Sequence, residues 1–221
     1  MLFNFASISY AAKADLAAAN IKLVHSHVLE GCAALCGYGT LAAFLSGGSA
    51  STLVNSEIVV LDAAYARARL VKLGASTADA EATAGILSVR MKQDALSSNL
   101  PSMPKIFTSF DNFHDDYLQE IIQYRVLDSS EMSSAIAETN ASDFDVYIED
   151  VSWDEEIRKA RGAWIIQAEG TFAGEQDEDR VYHGHEGDFT IRIDFDKVDR
   201  VGLREADSEV AAAIVDRYAE D

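Results

Sequence analysis

His183 and His185 stand two residues apart in Val181–His185, a stretch whose composition reads as a strand. Side chains two apart on a strand share a face, so both imidazoles project the same way. That arrangement suits two ligands of a catalytic metal, with a third carboxylate ligand drawn from a neighbouring strand. The competing reading is a pair of half-exposed strand histidines, because nothing local places a third ligand. His25, His27, Cys32 and Cys36 form a second set of ligand-type side chains. On a helix, His25, Cys32 and Cys36 share one face while His27 points away, and one helix cannot wrap four ligands around zinc. Cysteine is often buried without any chemical role. An i,i+4 pair is also poorly placed for a disulfide, so free thiols in a reducing compartment are expected. Asp194-x-Asp196 near Asp199 offers carboxylates for calcium but lacks the glycine and terminal glutamate of a calcium loop. The expectation is a chain with no cofactor.

His114-Asp115-Asp116 resembles the central His-Asp pair of the helical metal-dependent phosphohydrolases. The flanking histidine and later aspartate of that family have no placeable counterparts. The cupin pattern, in which a glutamate follows several residues after the second histidine, is not met, since Glu186 is adjacent to His185 and faces the other way. No Gly-x-Ser-x-Gly nucleophile elbow occurs. Gly37-Tyr38-Gly39-Thr40 is neither a phosphate-binding loop nor a dinucleotide fingerprint. Direct nucleic-acid binding needs clustered Lys and Arg; the best group, Arg67, Arg69 and Lys72, reads as one face of a helix.

Charge says more than motif does. Residues 1–105 carry 8 Lys/Arg against 7 Asp/Glu, and residues 106–221 carry 10 against 30, so the acidic half holds the whole excess behind the net −19. The two prolines, Pro101 and Pro104, lie at the switch. An acidic half of this kind suits contact with something cationic. With 221 residues and 48% apolar side chains, the chain can bury a core and is no disordered tail. Gly31 to Ser56 is free of charge, but its apolar heart, Cys32–Leu45, falls short of the roughly 20 residues that span a bilayer. It reads as a buried helix followed by a loop, so no membrane contact is expected. Met1-Leu2-Phe3-Asn4-Phe5 lacks the basic start of a secretory signal, which points to a cytoplasmic or virion-associated protein.

The elements that must position these residues follow from periodicity. Alanines between Ala11 and Ala19 favour a thin helix. A second helix is expected over Val28 to Leu45. A third would start at a Ser56 cap, with Ile58, Leu61, Ala64, Ala68 and Val71 as its apolar stripe and Gly74 just past its end. Ser76 caps a fourth, with Asp79 in the capping-box position and Ala80, Ala84, Leu87 and Met91 facing inward. Residues 1–100 thus read as an antiparallel helical bundle and 101–106 as a linker. In 107–221, Asp111 would cap a helix reaching Val126, and Ser129 or Ser130 a short one. The period then changes to two. Phe144, Val146 and Ile148 share a face, as do Trp164, Ile166, Ala168 and Phe172. Val181–His185 and Phe189–Asp196 would form a hairpin across Glu186-Gly187-Asp188. The expected fold class is α+β, with an antiparallel meander over about 143–196 covered by a helix from Ser208 to Tyr218.

Strict alternation then turns Asp143, Asp145, Glu149, Glu169, Asp194 and Asp196 outward onto one sheet face, next to the loop Glu175-Gln176-Asp177-Glu178-Asp179. The plain reading of such a face is solubility. The functional reading is a non-catalytic interaction or assembly protein, a virion or mobile-element component, with a basic partner protein and a self-associating helical half. Two alternatives stand beside it: an acidic inhibitor that mimics nucleic acid, and a metal-dependent enzyme centred on His183 and His185.

Overall fold

The computed structural model describes residues 2–47, 52–98, 100, 102–139, 141–176 and 185–215. The chain is α+β and divides into two compact units. The first comprises 1–113, 156–162 and 196–204; the second comprises 114–155, 163–195 and 205–221.

The first unit holds helices α1 (Phe5–Ala18), α2 (His25–Leu35), α3 (Leu41–Ser46), α4 (Ala63–Lys72), α5 (Thr77–Leu96) and the single turn α6 (Phe110–Phe113). Side-chain oxygens set their starts. Asn4 accepts from the Ser7 amide at 3.2 Å, Thr40 from Ala43 at 3.1 Å, and Ser76 from Asp79 at 3.1 Å. One C-terminal device recurs three times. Asn20, Gly37 and Gly74 all take positive φ, and in each case the next amide reaches back to the carbonyl five residues earlier: Ile21 to Leu16, Tyr38 to Ala33, Ala75 to Leu70. This is the Schellman closure, which satisfies carbonyls left open at a helix end. At Gly37 it corrects the expectation of one helix to Leu45, because a left-handed residue ends α2 and the chain restarts at the Thr40 cap.

The helices pack α2 on α4 and α5, and α1 on α5, around a core that includes Phe5, Ile8, Leu16, Cys32, Leu35, Leu87 and Met91. The first unit is mixed rather than purely helical. Ile58–Val60 forms β1, fully buried, and pairs in parallel with β2 (Lys105–Phe107). It also pairs antiparallel with Gly202 and Leu203, which open strand β6. Ile58 therefore does not belong to a helix stripe. Three consecutive β-branched residues favour a strand buried on both faces. The helix begins after it, where Asp62 accepts from the Tyr65 amide at 2.8 Å, and Ala64, Ala68 and Val71 face solvent while Ala66 and Leu70 are buried. Lys105 and Ile106, at the end of the presumed linker, are strand residues.

The second unit begins with a π-helical turn, His114–Leu118, and continues through α7 (Gln119–Leu127) and α8 (Ser130–Ala137). Ser129 is the cap of α8, accepting from Met132 at 3.0 Å. The helical turn at Phe110 is capped by Ser109, which accepts from Asn112 at 3.1 Å, and not by Asp111. The sheet follows: β3 (Ala141–Trp153), β4 (Ala163–Gln176), β5 (Glu186–Lys197) and β6 (Gly202–Ile214), neighbours in that order, with β3 outermost. Its inner face buries Val146, Trp164, Ile166, Phe172, Phe189, Ile191, Ile193 and Phe195. Burying a side chain of this size contributes roughly 1.5–3 kcal/mol.

Two further expectations are corrected. Glu186, Gly187 and Asp188 lie inside β5 and form no hairpin turn. Residues 208–214 continue β6 rather than starting a helix, with Val210, Ala212 and Ile214 less exposed than Glu209, Ala211 and Ala213. The expected strand Val181–His185 lies outside the described residues apart from His185, as do Asp177, Glu178 and Asp179 of the acidic loop.

Candidate functional site

The outward face of β3, β4 and β5 is built by pleat and register. On β4, burial of Trp164, Ile166, Ala168 and Phe172 leaves Gln167, Glu169 and Glu175 in solvent. On β5, burial of Phe189, Ile191, Ile193 and Phe195 turns Thr190 and Arg192 outward. On β3, Asp145 and Tyr147 face out opposite Ala173 and Thr171. The β3–β4 ladder then breaks register between Ile148 and Asp150. A bulge places one extra residue on β3 and resets the alternation. Glu149 is exposed at the bulge, and Asp150, which strict alternation would send inward, comes out directly opposite Glu169. Two exposed carboxylates therefore face each other across the ladder, which costs roughly 0.2–1 kcal/mol.

The six expected face residues do not all gather. Asp145, Glu149 and Glu169 are exposed on the second unit's sheet. Asp143 is exposed too, but sits at a second register break with a φ of 48°, its carboxylate 3.5 Å from the Ser142 hydroxyl. Asp194 is no bare carboxylate. Arg192 grips it through Nε at 2.8 Å and Nη2 at 3.1 Å, a bidentate pair along one strand. This bond, then the charges of Asp194, Glu209 and Asp154, hold the Arg192 guanidinium more firmly protonated than usual. Asp196 is exposed and belongs to the first unit.

The sequence reading missed Asp150 and Glu209. Both line a concavity of about 490 Å³ with Glu169, Thr190 and Arg192. Asp150 was hidden by the bulge, which has no signature within the strand itself. Glu209 was hidden by the helix expected there, although its exposure against Ser208 and Val210 follows a period of two.

The other chemical candidates separate. Cys32 and Cys36 are buried free thiols. Burial pushes Cys32 up to about 12, and burial, then Cys32 and Asp199, push Cys36 well above the ordinary thiol range, so neither is a nucleophile at neutral pH. His25 is exposed, away from the buried cysteines. His114 Nδ1 lies 2.8 Å from Asp115 Oδ1, and its Nε2 lies 3.3 Å from Gln119. His183 lies outside the described residues; His185 is half-buried with Nε2 3.3 Å from Glu186 Oε1. Among the described residues no three His, Cys, Asp or Glu side chains converge as metal ligands, and no helix is long and apolar enough to cross a membrane.

In the first unit, aromatic and cationic groups tie distant segments together. Arg158 lies over the Tyr65 ring at 4.2 Å and donates to Asp62 at 3.1 Å. Arg200 lies over the Tyr38 ring at 4.7 Å, while the Tyr38 hydroxyl donates to Asp199 at 2.6 Å. These contacts hold residues 156–162 and 196–204 against the helices, which is why those segments join the first unit. Comparison of the chain with protein-family models, with curated proteins and with solved structures gives no match.

Proposed function

We propose that this chain is a non-catalytic interaction and assembly protein that binds a partner protein of basic surface through the acidic sheet face of its second unit. The observation that carries the reading is the exposed Asp150–Glu169 juxtaposition beside a concavity that Glu209 also lines. A fold keeps like charges opposite each other at a cost in stability when solubility or a contact requires them. The concavity gives those charges a shape as well as a sign, which favours contact over plain solvation. The same reading assigns self-association to the alanine-rich helices, where Tyr10 is 83% exposed on α1 and Leu96 61% exposed on α5. A virion or mobile-element component combines these two properties.

The mimicry alternative calls for regular rows of carboxylates. Tyr147 and two register breaks interrupt the row on β3, which weighs against it.

Polylysine serves as the cationic probe, titrated at a series of salt concentrations. Binding should weaken steeply with salt, since exposed charges are screened within about 10 Å at 0.1 M. It should be lost in the triple variant Asp145→Lys, Asp150→Lys, Glu169→Lys. Unchanged binding by that variant would sink the reading. Light scattering tests the assembly part, which a strictly monomeric protein would refute.

A further inference from the structure

We propose that α5 of the first unit packs antiparallel against α5 of a second copy of this chain. This rests on the assembly reading above and names the surface that carries it.

Gly85 lies in the middle of α5, a 20-residue helix, where glycine costs stability because it loses the most backbone freedom on folding. Gly31 in α2 has a reason inside the fold, since a Cβ there would lie 2.9 Å from Leu87 Cδ1. Gly85 has no such reason. A Cβ there meets nothing within 4 Å among the described residues, and the position is exposed. A bare backbone on an outer helix face lets another helix come close.

The neighbours of Gly85 show which helix fits. Ala80, Ala84, Leu87, Met91 and Ala95 turn inward, and α1, α2 and α4 pack against α5. At 3.6 residues per turn, Ala78, Ala82, Gly85, Val89, Lys92 and Leu96 fall within about 40° of one line along the opposite side. All are exposed except half-buried Lys92, with Val89 at 48% and Leu96 at 61%. The line divides by size. Ala78, Ala82 and Gly85 are small; Val89, Lys92 and Leu96 are large. The two halves are placed at equal distances on either side of Leu87: Gly85 matches Val89, Ala82 matches Lys92, and Ala78 matches Leu96.

A second α5 turned end for end therefore seats each large side chain over a small one: Val89 over Gly85, the Lys92 stem over Ala82, Leu96 over Ala78. A two-fold axis at Leu87 repeats the three contacts, which makes the interface self-complementary. A parallel pair would set large against large at one end and small against small at the other, a clash and a gap. Charge agrees with the antiparallel choice. Lys92 has no ion pair among the described residues. Glu81 pairs with Arg67 through one oxygen and stays 65% exposed. Glu81 is six positions before Leu87 and Lys92 five after it, so the end-for-end pairing brings Lys92 of each copy level with Glu81 of the other, on the same flank. Residues 1–105 are also close to neutral, with 8 Lys/Arg against 7 Asp/Glu, so two such surfaces meet without the repulsion that the acidic half would bring.

The test is sedimentation velocity of the full chain from about 1 to 100 μM, because one helix pair buries less than the roughly 1,600 Å² of a standard interface. Gly85→Glu puts bulk and charge at the closest approach and replaces a poor helix former with a good one. It should weaken the dimer about tenfold or more, while helix content by circular dichroism and the urea midpoint hold or rise. Lys92→Glu and Glu81→Lys each set like charges against each other and should each weaken the dimer. The double variant Glu81→Lys, Lys92→Glu restores the pair with its signs exchanged and should recover most of the affinity. If Gly85→Glu does not fold, the charge exchange decides alone. A dimer untouched by Gly85→Glu, or a double variant no tighter than the two single ones, overturns the α5 pairing and leaves the assembly reading standing. A parent chain that stays monomeric across the whole range overturns both.

Discussion

The first unit and the outer sheet face of the second use acidic side chains in opposite ways. In the first, carboxylates are paired within the fold: Asp15 with Arg90 at 2.6 Å, Glu30 with Arg69 at 2.8 Å, Asp62 with Arg158 at 3.1 Å, and Glu81 with Arg67 at 2.8 Å. In the second, the outer sheet face carries Asp145, Glu149, Asp150, Glu169 and Glu209, and the cation among the described sheet residues of that unit is Arg192, already held by Asp194. An acid paired within the fold contributes to holding it together. An acid set opposite another acid opposes folding, and the contact proposed above would account for it. The charge step seen along the sequence is therefore a step in the work that carboxylates do.

The largest effect separates the two faces of the same sheet. Phe172→Ala removes a fully buried ring that lies 6.0 Å from Phe144, and should cost about 3–5 kcal/mol in urea unfolding. Tyr147→Ala, on the outer face one position from the Phe172 pair, should stay within about 0.5 kcal/mol. A similar cost for both would mean that the outer face is covered rather than open.

A middle-sized effect tests the structural role of the first unit's acids. Asp62 caps α4 with one oxygen and accepts from Arg158 with the other. Asp62→Ala should cost about 1–2 kcal/mol. Asp62→Asn keeps an oxygen for the Tyr65 amide and should recover most of that. Failure of the asparagine to recover stability would assign the cost to the ion pair instead of the cap.

The pair of Asp15 and Arg90 gives a pH signature of smaller size. The hydrogen bond from Arg90 lowers the Asp15 pKa from its usual 3.8, so the folded state holds the carboxylate charged to lower pH than the unfolded chain does. Its contribution is complete above 3.8 and fades as pH falls through the lowered value. Asp15→Asn should therefore lower the urea midpoint at neutral pH, and the difference from the parent should vanish in acid. A difference that persists in acid would trace the loss to packing.

Legibility followed the range of the determining contact. Ser76, Ser129 and Gly74 act within one turn, and their caps were readable from residue type alone. Alternation in β4 and β5 was equally local. Where a partner strand decides, the sequence was ambiguous. Val210 and Ile214 lie four apart, a spacing that fits one face of a helix and one face of a strand, and alanines between them favour the helix until pairing with β5 overrides it. Ile58 was assigned to a helix stripe because Lys105–Phe107, the parallel partner of Ile58–Val60, lies far along the chain. The bulge at Glu149 belongs to the relation between β3 and β4, and it moved one candidate site residue, Asp150, from the inner face to the outer.

The smallest effect has the opposite sign and bears most directly on the contrast between the units. Glu169→Gln leaves shape and packing unchanged and removes one charge opposite Asp150. At low salt it should stabilise the fold by roughly 0.2–1 kcal/mol, with the gain shrinking as salt screens the pair. Glu81→Gln in the first unit removes the partner of Arg67 and should give no gain. The same Glu169→Gln chain should bind polylysine more weakly than the parent. Gain in stability with loss of binding is the mark of a carboxylate kept for contact, because a solubilising charge would lose nothing measurable in binding and a structural one would lose stability. A Glu169→Gln variant that is less stable than the parent would place this acid among the paired carboxylates of the first unit's type and remove the contrast.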